Sequence, residues 1–310
     1  RLFFLDAKKR TVNIKDDNSV AFQIRSYGWS IGASYSVVTN MDELAIYDCT
    51  AMPRHTDNAD FARVVYMKTE NYMDNFDRLN SFLGREETIS NSHRVRFVGK
   101  DSIDKNFSKA LSSVRLNLAQ AIINGNHYKI SIADINLWTQ IILNRILFIR
   151  VCEARGLERD GLLKDFAATD FWTEFKRSSY IDFYEHYDGP MFARIRHIQD
   201  LIIDNAVFDD LLSYLYYPSP YCFDVIPLKS ISDIYDLFLG YHLEYDDSGI
   251  LENVLKSEFR KSNGAVTTPE HIVHNTIDST VPSEYLQSLT NQQILDLKFL
   301  DPACGSGVFL

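Results

Sequence analysis

Short runs of apolar residues alternate with polar turns from Leu2 to Tyr47. Most of these runs have the length and alternation of strands, and Ala21 to Trp29 repeats apolar residues at helical spacing. The strand-like runs are LFFLDAK, TVNIKDDNSV, YSVVTN and ELAIYDC, with the helical run between the second and the third. This order predicts an α/β unit, which we place in residues 1–100.

The hydrophobic pattern changes between residues 101 and 258, where long amphipathic segments replace the strand-like alternation. From Trp138 to Glu153, apolar residues recur every three or four positions, so that one broad helical face is apolar. Such a face is typical of a helix packed in a bundle. We therefore predict an all-helical domain over residues 101–258.

Aromatic residues are concentrated in two stretches of this middle region, YIDFYEHYDGPMFARIRHI and LLSYLYYPSPYCF. Exposed aromatic side chains can stack on nucleic-acid bases. Rings at helical spacing more often fill a protein core. The core interpretation is the default here, and base stacking is kept as the alternative.

The last residues predict a helix that begins near Pro269 and a strand from Leu297 to Asp301. The strand runs into a turn in which Gly305 and Gly307 permit a close approach of the backbone to a ligand. This strand, turn and apolar resumption are typical of the start of a doubly wound α/β domain. A small-molecule site is expected at this turn, with Asp301 accepting hydrogen bonds.

The first strand carries an acidic residue and a lysine, Asp6 and Lys8, on the same face. A carboxylate can bind Mg²⁺, and a nearby lysine can activate water and neutralise charge on a phosphate. Gln23 and Tyr27 share one face of the following helix through their four-residue spacing. The spacing of Asp6 and Lys8 suits phosphodiester hydrolysis.

Composition and charge limit the class of protein. The 310 residues are 45% hydrophobic and 24% charged, which is the balance of a globular protein of two or three domains. A formal net charge of −10 argues against a basic surface that binds nucleic acid over its whole extent, although a local basic groove remains possible. The chain starts with Arg1 and ends just after the glycine-rich turn, so we expect it to be part of a longer protein.

Cysteine and histidine positions give no further site. The four cysteines are scattered without metal-ligand spacing, and the eight histidines form no HExxH motif. A reducing, cytoplasmic environment is expected. No leader sequence or membrane-spanning run is predicted, because polar residues interrupt the longest apolar stretch.

Two segments near the C-terminal end resemble amino-methylating DNA methyltransferases. The run Asp-Pro-Ala-Cys-Gly-Ser-Gly at 301–307, followed by Phe309, is similar to their first motif. Gly-Ala-Val-Thr-Thr-Pro at 264–269 looks like the cofactor-contacting segment that precedes this motif in the adenine-specific enzymes. The resemblance implies S-adenosylmethionine as cofactor and the following residues around it: Val266, Thr267, Thr268, Pro269, Asp301, Ala303, Cys304, Gly305 and Gly307. By the same resemblance, Asp301 holds the amino group of the cofactor.

The methyltransferase resemblance is incomplete within this chain. Enzymes of this kind hold the flipped adenine with a later Asn/Asp-Pro-Pro-aromatic loop, and that tetrapeptide does not occur in the sequence. The methyl-transfer site is therefore expected to need residues that this sequence lacks.

The first hundred residues resemble the PD-(D/E)XK nuclease fold, in the version found at the amino end of type IIG restriction-modification enzymes. The resemblance implies that Asp6 is a metal ligand for Mg²⁺, Lys8 the catalytic lysine and Gln23 a helix residue that reaches back to the site. Asp6 stands where Glu is commoner. The family also has an upstream metal-binding Asp, for which only five residues precede Asp6, so we do not expect this chain alone to cleave DNA.

The order of the three regions strengthens the resemblance to type IIG enzymes. A nuclease-like domain (1–100) is followed by a helical connector (101–258) that contains NRILFIRVCEARGL, and then by the beginning of a methyltransferase domain (259–310). The expected function is adenine methylation in double-stranded DNA with S-adenosylmethionine, combined with Mg²⁺-dependent cleavage. The alternatives are a methyltransferase-only modification subunit with an inactive nuclease-like domain, and a non-catalytic DNA-binding or assembly module.

Overall fold

The structure is a computed structural model that describes residues 3–91, 103–187, 190–227, 230–231, 240–256, 268 and 270–302. It contains a small α/β unit, a helical unit that includes a β-hairpin, and a C-terminal segment of short helices. The mixed α/β class predicted from the sequence is confirmed.

A four-stranded sheet forms the α/β unit, in the order β1-β2-β3-β4. The strands are β1 (Phe4–Ala7), β2 (Tyr35–Thr39), β3 (Glu43–Asp48) and β4 (Arg63–Lys68). β1 and β2 are parallel, and the other neighbouring pairs are antiparallel. Parallel strands need a crossover connection, which the helix α1 (Asn18–Ser30) provides.

The sheet has a helix on each face. α1 packs over an apolar cluster that contains Ile24 and Val38, and α2 (Phe76–Leu83) packs over the opposite face with Val37. A short 3₁₀ turn, Thr69–Asn71, leads into α2, and α3 (Arg85–Asn91) follows it. Both faces of the small sheet are therefore covered.

Two sequence predictions for this unit need correction. The stretch from Thr11 forms turns rather than a second strand. Ile14 is fully buried in this stretch, and Asp17 is the N-cap of α1, where its side chain accepts hydrogen bonds from the first turn of the helix. The strand β4 was not predicted, because polar and apolar residues alternate only weakly along it. In the structure it lies at the edge of the sheet and pairs only with β3.

The helical unit surrounds one large apolar core. The helices whose bounds lie within the described residues are α4 (Ile103–Gly125), α5 (Ile132–Ala154), α6 (Leu162–Ala167), α7 (Phe171–Ser178), α8 (Tyr184–Tyr187), α9 (Arg196–Gln199) and α10 (Ala206–Leu215), with a π-helical turn at Ser179–Phe183 and a 3₁₀ turn at Pro190–Phe192. Trp29 of α1 belongs to the same core and joins the two units.

The predicted bundle helix from Trp138 to Glu153 is confirmed as part of α5. By length and composition alone α5 is apolar enough to cross a membrane. Here it packs in the helical core, where Ile142, Ile146 and Ile149 are fully buried. This is the packing of a core helix.

Residues 101–258 are not all helical. Two antiparallel strands, β5 (Tyr241–Tyr245) and β6 (Leu251–Leu255), form a hairpin that packs on α4 and α5. Asn136 of α5 fixes it by donating to the carbonyl oxygen of Leu243 at 2.8 Å and accepting from the amide of Leu243 at 2.8 Å. The helical prediction missed this hairpin.

The core interpretation of the first aromatic stretch is confirmed for Phe183 and Phe192, which are buried and stack with ring centroids 5.3 Å apart. Phe171 and Phe208, on either side of the stretch, are also buried and stack with centroids 4.3 Å apart. Tyr217 of the second stretch is different, because 65% of it is exposed.

The C-terminal segment contains α11 (Glu270–Thr280), α12 (Ser283–Gln287) and α13 (Asn291–Leu295). The prediction of a helix beginning near Pro269 is confirmed by α11. The predicted strand from Leu297 is wrong for the described structure, in which residues 297–301 form neither helix nor strand. None of the described strands pairs with them.

Candidate functional site

Asp6 and Lys8 lie on the face of β1 that is turned towards α1. Residues 4, 6 and 8 are partly buried, whereas Leu5 and Ala7 between them are exposed. The amide of Lys8 donates to the carbonyl oxygen of Thr39 at 2.7 Å, so the pairing with β2 holds the backbone at the lysine. The period of two predicted from the sequence therefore places both side chains on one face.

The lysine is held between two acceptors. Its Nζ lies 2.8 Å from Oδ2 of Asp6 and donates to Oε1 of Gln23 at 2.7 Å. The Lys8 side chain is 20% exposed and that of Asp6 is 26% exposed, so the pair remains open to solvent on one side. The structure thus brings together all three residues that the nuclease resemblance named.

Tyr27 extends this cluster. Nε2 of Gln23 donates to the Tyr27 hydroxyl at 3.3 Å, and the Tyr27 ring packs on Phe4 with centroids 4.8 Å apart. Burial raises the pKa of Tyr27, and the charges of Asp224 and Asp6 add to the rise, while the contact with Gln23 opposes it. Tyr27 is therefore a neutral hydroxyl at pH 7, able to donate as well as accept.

The four side chains form a continuous path that runs from β1 along one face of α1. We call Asp6, Lys8, Gln23 and Tyr27 the lysine cluster. An ammonium group has three N–H donors, of which two are used by Asp6 and Gln23. The third leaves Lys8 with capacity to bind water or a phosphate oxygen.

The donor set of the lysine cluster fits Mg²⁺ in type and supplies a single carboxylate. Mg²⁺ is commonly held by one or two carboxylates together with water and substrate phosphates. Asp6 offers that carboxylate. Over the described ranges, no group of three or more His, Cys, Asp or Glu side chains is placed to hold a metal ion.

The predicted cofactor segment is described only at two of its residues. Thr268 and Asp301 are both partly buried, and α11 begins at Glu270, directly after the segment. The other expected cofactor contacts lie outside the described residues: Val266, Thr267, Pro269, Ala303, Cys304, Gly305 and Gly307. The expectation that these residues surround a cofactor stays a prediction.

The helical unit docks on the C-terminal half of α1. Ser30 Oγ donates to the carbonyl oxygen of Pro220 at 2.9 Å and accepts from the amide of Cys222 at 3.1 Å. The Trp29 and Tyr221 rings lie 5.5 Å apart. Sequence reasoning did not find this junction, because contacts across some 190 residues leave no local pattern in the sequence.

Comparison with known proteins relates the chain to restriction enzymes that are also methyltransferases. Over its whole length it is 32% identical, in an alignment of 319 residues, to the Type II restriction enzyme and methyltransferase RM.Eco57I of Escherichia coli. The chain spans 31% of the length of that relative. No family model and no solved structure matches the chain.

Proposed function

We propose that this chain contains the nuclease region, the helical connector and the opening of the methyltransferase region of a type IIG-like restriction-modification enzyme. One observation carries the nuclease part of the proposal: Lys8 contacts both Asp6 and Gln23 on one face of the α/β unit. Similarity along the whole chain to a restriction enzyme and methyltransferase supports the combination of the two activities. The proposed substrate is double-stranded DNA and the proposed location is the cytoplasm.

In the proposed reaction, Lys8 acts on the scissile phosphate of the DNA. Its ammonium group offsets charge that develops on the phosphate oxygens and orients the attacking water through its remaining donor. Gln23 holds the lysine in this position from α1, and Tyr27 holds the carboxamide of Gln23. Asp6 would bind Mg²⁺, which when present supplies Lewis-acid stabilisation of the phosphate.

The methyltransferase part of the proposal rests on the two C-terminal segments. In this proposal Val266 to Pro269 contact S-adenosylmethionine, Asp301 accepts hydrogen bonds from its amino group, and the methyl group goes to the amino group of adenine. Exposed apolar side chains support a role inside a larger α/β domain, because Phe299 is 62% and Leu300 88% exposed. Burial of these side chains would accompany pairing of the segment as a strand.

A methyltransferase-only protein is the second candidate. It is favoured by the single carboxylate of the lysine cluster, since among the described residues Asp6 belongs to no group of three or more His, Cys, Asp or Glu side chains that could hold a metal ion. In that case the lysine cluster is a structural remnant of a nuclease. Metal-dependent nicking or cleavage of DNA separates the two candidates.

Reciprocal substitutions in the full-length protein test the proposal. Asp6→Ala should abolish Mg²⁺-dependent cleavage and leave methyl transfer to adenine intact, because Asp6 belongs to the α/β unit. Asp301→Ala should lower S-adenosylmethionine binding and methyl transfer. Cleavage retained by Asp6→Ala would exclude the nuclease assignment, and full methylation by Asp301→Ala would exclude the assigned cofactor segment.

A further inference from the structure

A cavity of about 410 Å³ lies between α1 and the helical unit, next to the lysine cluster. Its volume is within the usual range for small-molecule sites. We propose that it receives an unpaired nucleobase with an exocyclic amino group, from DNA whose backbone is held at Lys8. This inference rests on the proposed nuclease function and adds a base-binding site to it.

The cavity and the lysine cluster share two side chains. Gln23 and Tyr27 line the cavity, and the same Gln23 accepts the hydrogen bond from Lys8. A ligand in the cavity would therefore lie one side chain away from the proposed phosphate-binding group. This proximity suits a nucleotide whose base and phosphate occupy adjacent sites.

A buried hydroxyl in the cavity wall lacks a partner. Ser26 is 1% exposed and lines the cavity, and its Oγ makes no hydrogen bond. Buried polar groups in folded proteins are nearly always paired, so an unpaired one needs an explanation. A polar atom of a bound base would supply the missing partner.

Aromatic rings form further parts of the wall. Phe22 and Tyr217 approach edge to face with centroids 5.9 Å apart, and Tyr221 lies deeper in the cavity wall. Tyr217 is 65% exposed and belongs to the second aromatic stretch, for which base stacking was the alternative interpretation. Stacking on aromatic rings is a common way to hold an unpaired base.

The charges around the cavity favour amino groups over phosphate. Arg150 donates to the carbonyl oxygen of Leu215 at 2.9 Å and lies 3.5 Å from Glu153, so its charge is already engaged. Asp160 and Asp224 add two more carboxylates to the lining. Carboxylates accept hydrogen bonds from the amino groups of cytosine and adenine and repel phosphate. The ligand is therefore a base rather than the DNA backbone.

Binding of modified duplexes by the full-length protein, without Mg²⁺, tests the site. A single abasic position is moved along a duplex that the protein binds, and each dissociation constant is measured by fluorescence anisotropy. We expect one position at which loss of the base weakens binding about tenfold in the wild-type protein. Tyr217→Ala and Asp224→Asn should remove that difference, whereas the control Tyr128→Ala, an exposed tyrosine outside the cavity, should keep it.

The identity of the base provides the second readout. At the sensitive position, adenine or cytosine should bind better than thymine, which has no exocyclic amino group. A position that stays sensitive in both Tyr217→Ala and Asp224→Asn belongs to another part of the protein, and finding only such positions would overturn the inference. Equal binding of thymine at the sensitive position would also overturn it. Because binding is measured without cleavage, an inactive nuclease would not be mistaken for an empty cavity.

Discussion

Asp6 and Asp301 have similar local sequences, since each follows a short apolar run near the end of a predicted strand. In the structure, the regions around Asp6 and Asp301 differ. β1 pairs with β2 and is covered by α1, and Asp6 contacts Lys8 across its face. The run before Asp301 forms no strand, and Leu300 beside it is 88% exposed.

The difference shows that similar local sequences take different structures according to their tertiary partners. In the α/β unit, a parallel strand and a crossover helix lie within forty residues of β1, so the elements that complete the site are close in sequence. In the C-terminal segment, the described helices α11 to α13 bury few apolar side chains.

Truncating an apolar side chain to alanine should lower the free energy of unfolding much more in the α/β unit than in the C-terminal segment. Ile24→Ala removes a fully buried side chain of α1 and should lower the free energy of unfolding by about 4 kcal/mol. Leu300→Ala removes an exposed side chain and should change it by less than about 0.5 kcal/mol. Urea denaturation of the 310-residue chain measures both. Equal effects would show that the C-terminal segment is packed as firmly as the α/β unit.

Asp57→Asn should destabilise the α/β unit by about 3 kcal/mol at pH 7. Arg25, with a side chain 1% exposed, donates to Asp57 at 2.7 Å, and its Nε and Nη2 have no hydrogen-bond partner. The substitution would leave that buried charge without its carboxylate. The control is Asp42→Asn in the exposed pair with Arg10, which should cause no measurable change.

The same pair predicts a pH dependence. Burial alone would raise the pKa of Asp57, but hydrogen bonds from the Arg54 amide and from Arg25 outweigh it and hold the pKa below 3.8. The stabilisation is therefore complete above about pH 5 and is lost as the pH falls through the lowered pKa. Asp57→Asn should lack this part of the acid destabilisation. If the free energy of unfolding of Asp57→Asn fell at low pH as steeply as that of the wild-type protein, Asp57 would not be the source of this pH dependence.

Gly28→Ala should lower the free energy of unfolding by about 2 kcal/mol, because α1 has no room for a further side-chain atom at this glycine. A Cβ there would lie 2.5 Å from the Cys49 sulfur and 3.1 Å from the Ser36 Cβ. The double variant Gly28→Ala/Cys49→Ala lacks the sulfur, so it should be destabilised by less than the sum of the two single variants. If urea denaturation showed that the two losses in unfolding free energy simply add, the predicted collision with Cys49 would be excluded.

The sequence was sufficient for the parts of the site that depend on local periodicity. The period of two along β1 and the helical spacing of Gln23 and Tyr27 fixed which faces these residues occupy. The β5–β6 hairpin was missed, although a turn signal was present at Asp246–Gly249, where Gly249 has a φ of +77° between two alternating runs. The long amphipathic segments elsewhere in residues 101–258 led the helical prediction to include it.

The junction and the cavity lay beyond sequence reasoning for a different reason. Ser30 and Cys222 are 192 residues apart in the chain, and neither residue has a distinctive neighbourhood in the sequence. The unpaired hydroxyl of Ser26 depends on the packing around α1. Such features are determined by three-dimensional packing rather than by spacing along the chain.

We propose that the lysine cluster is a nuclease site, and the cleavage rate of duplex DNA by the full-length protein with Mg²⁺ tests this proposal. Lys8→Ala should lower this rate about a hundredfold or more and leave methyl transfer unchanged. Lys9→Ala, an exposed lysine next in the chain, should cleave like the wild-type protein. Equal cleavage by Lys8→Ala and Lys9→Ala would contradict the claim.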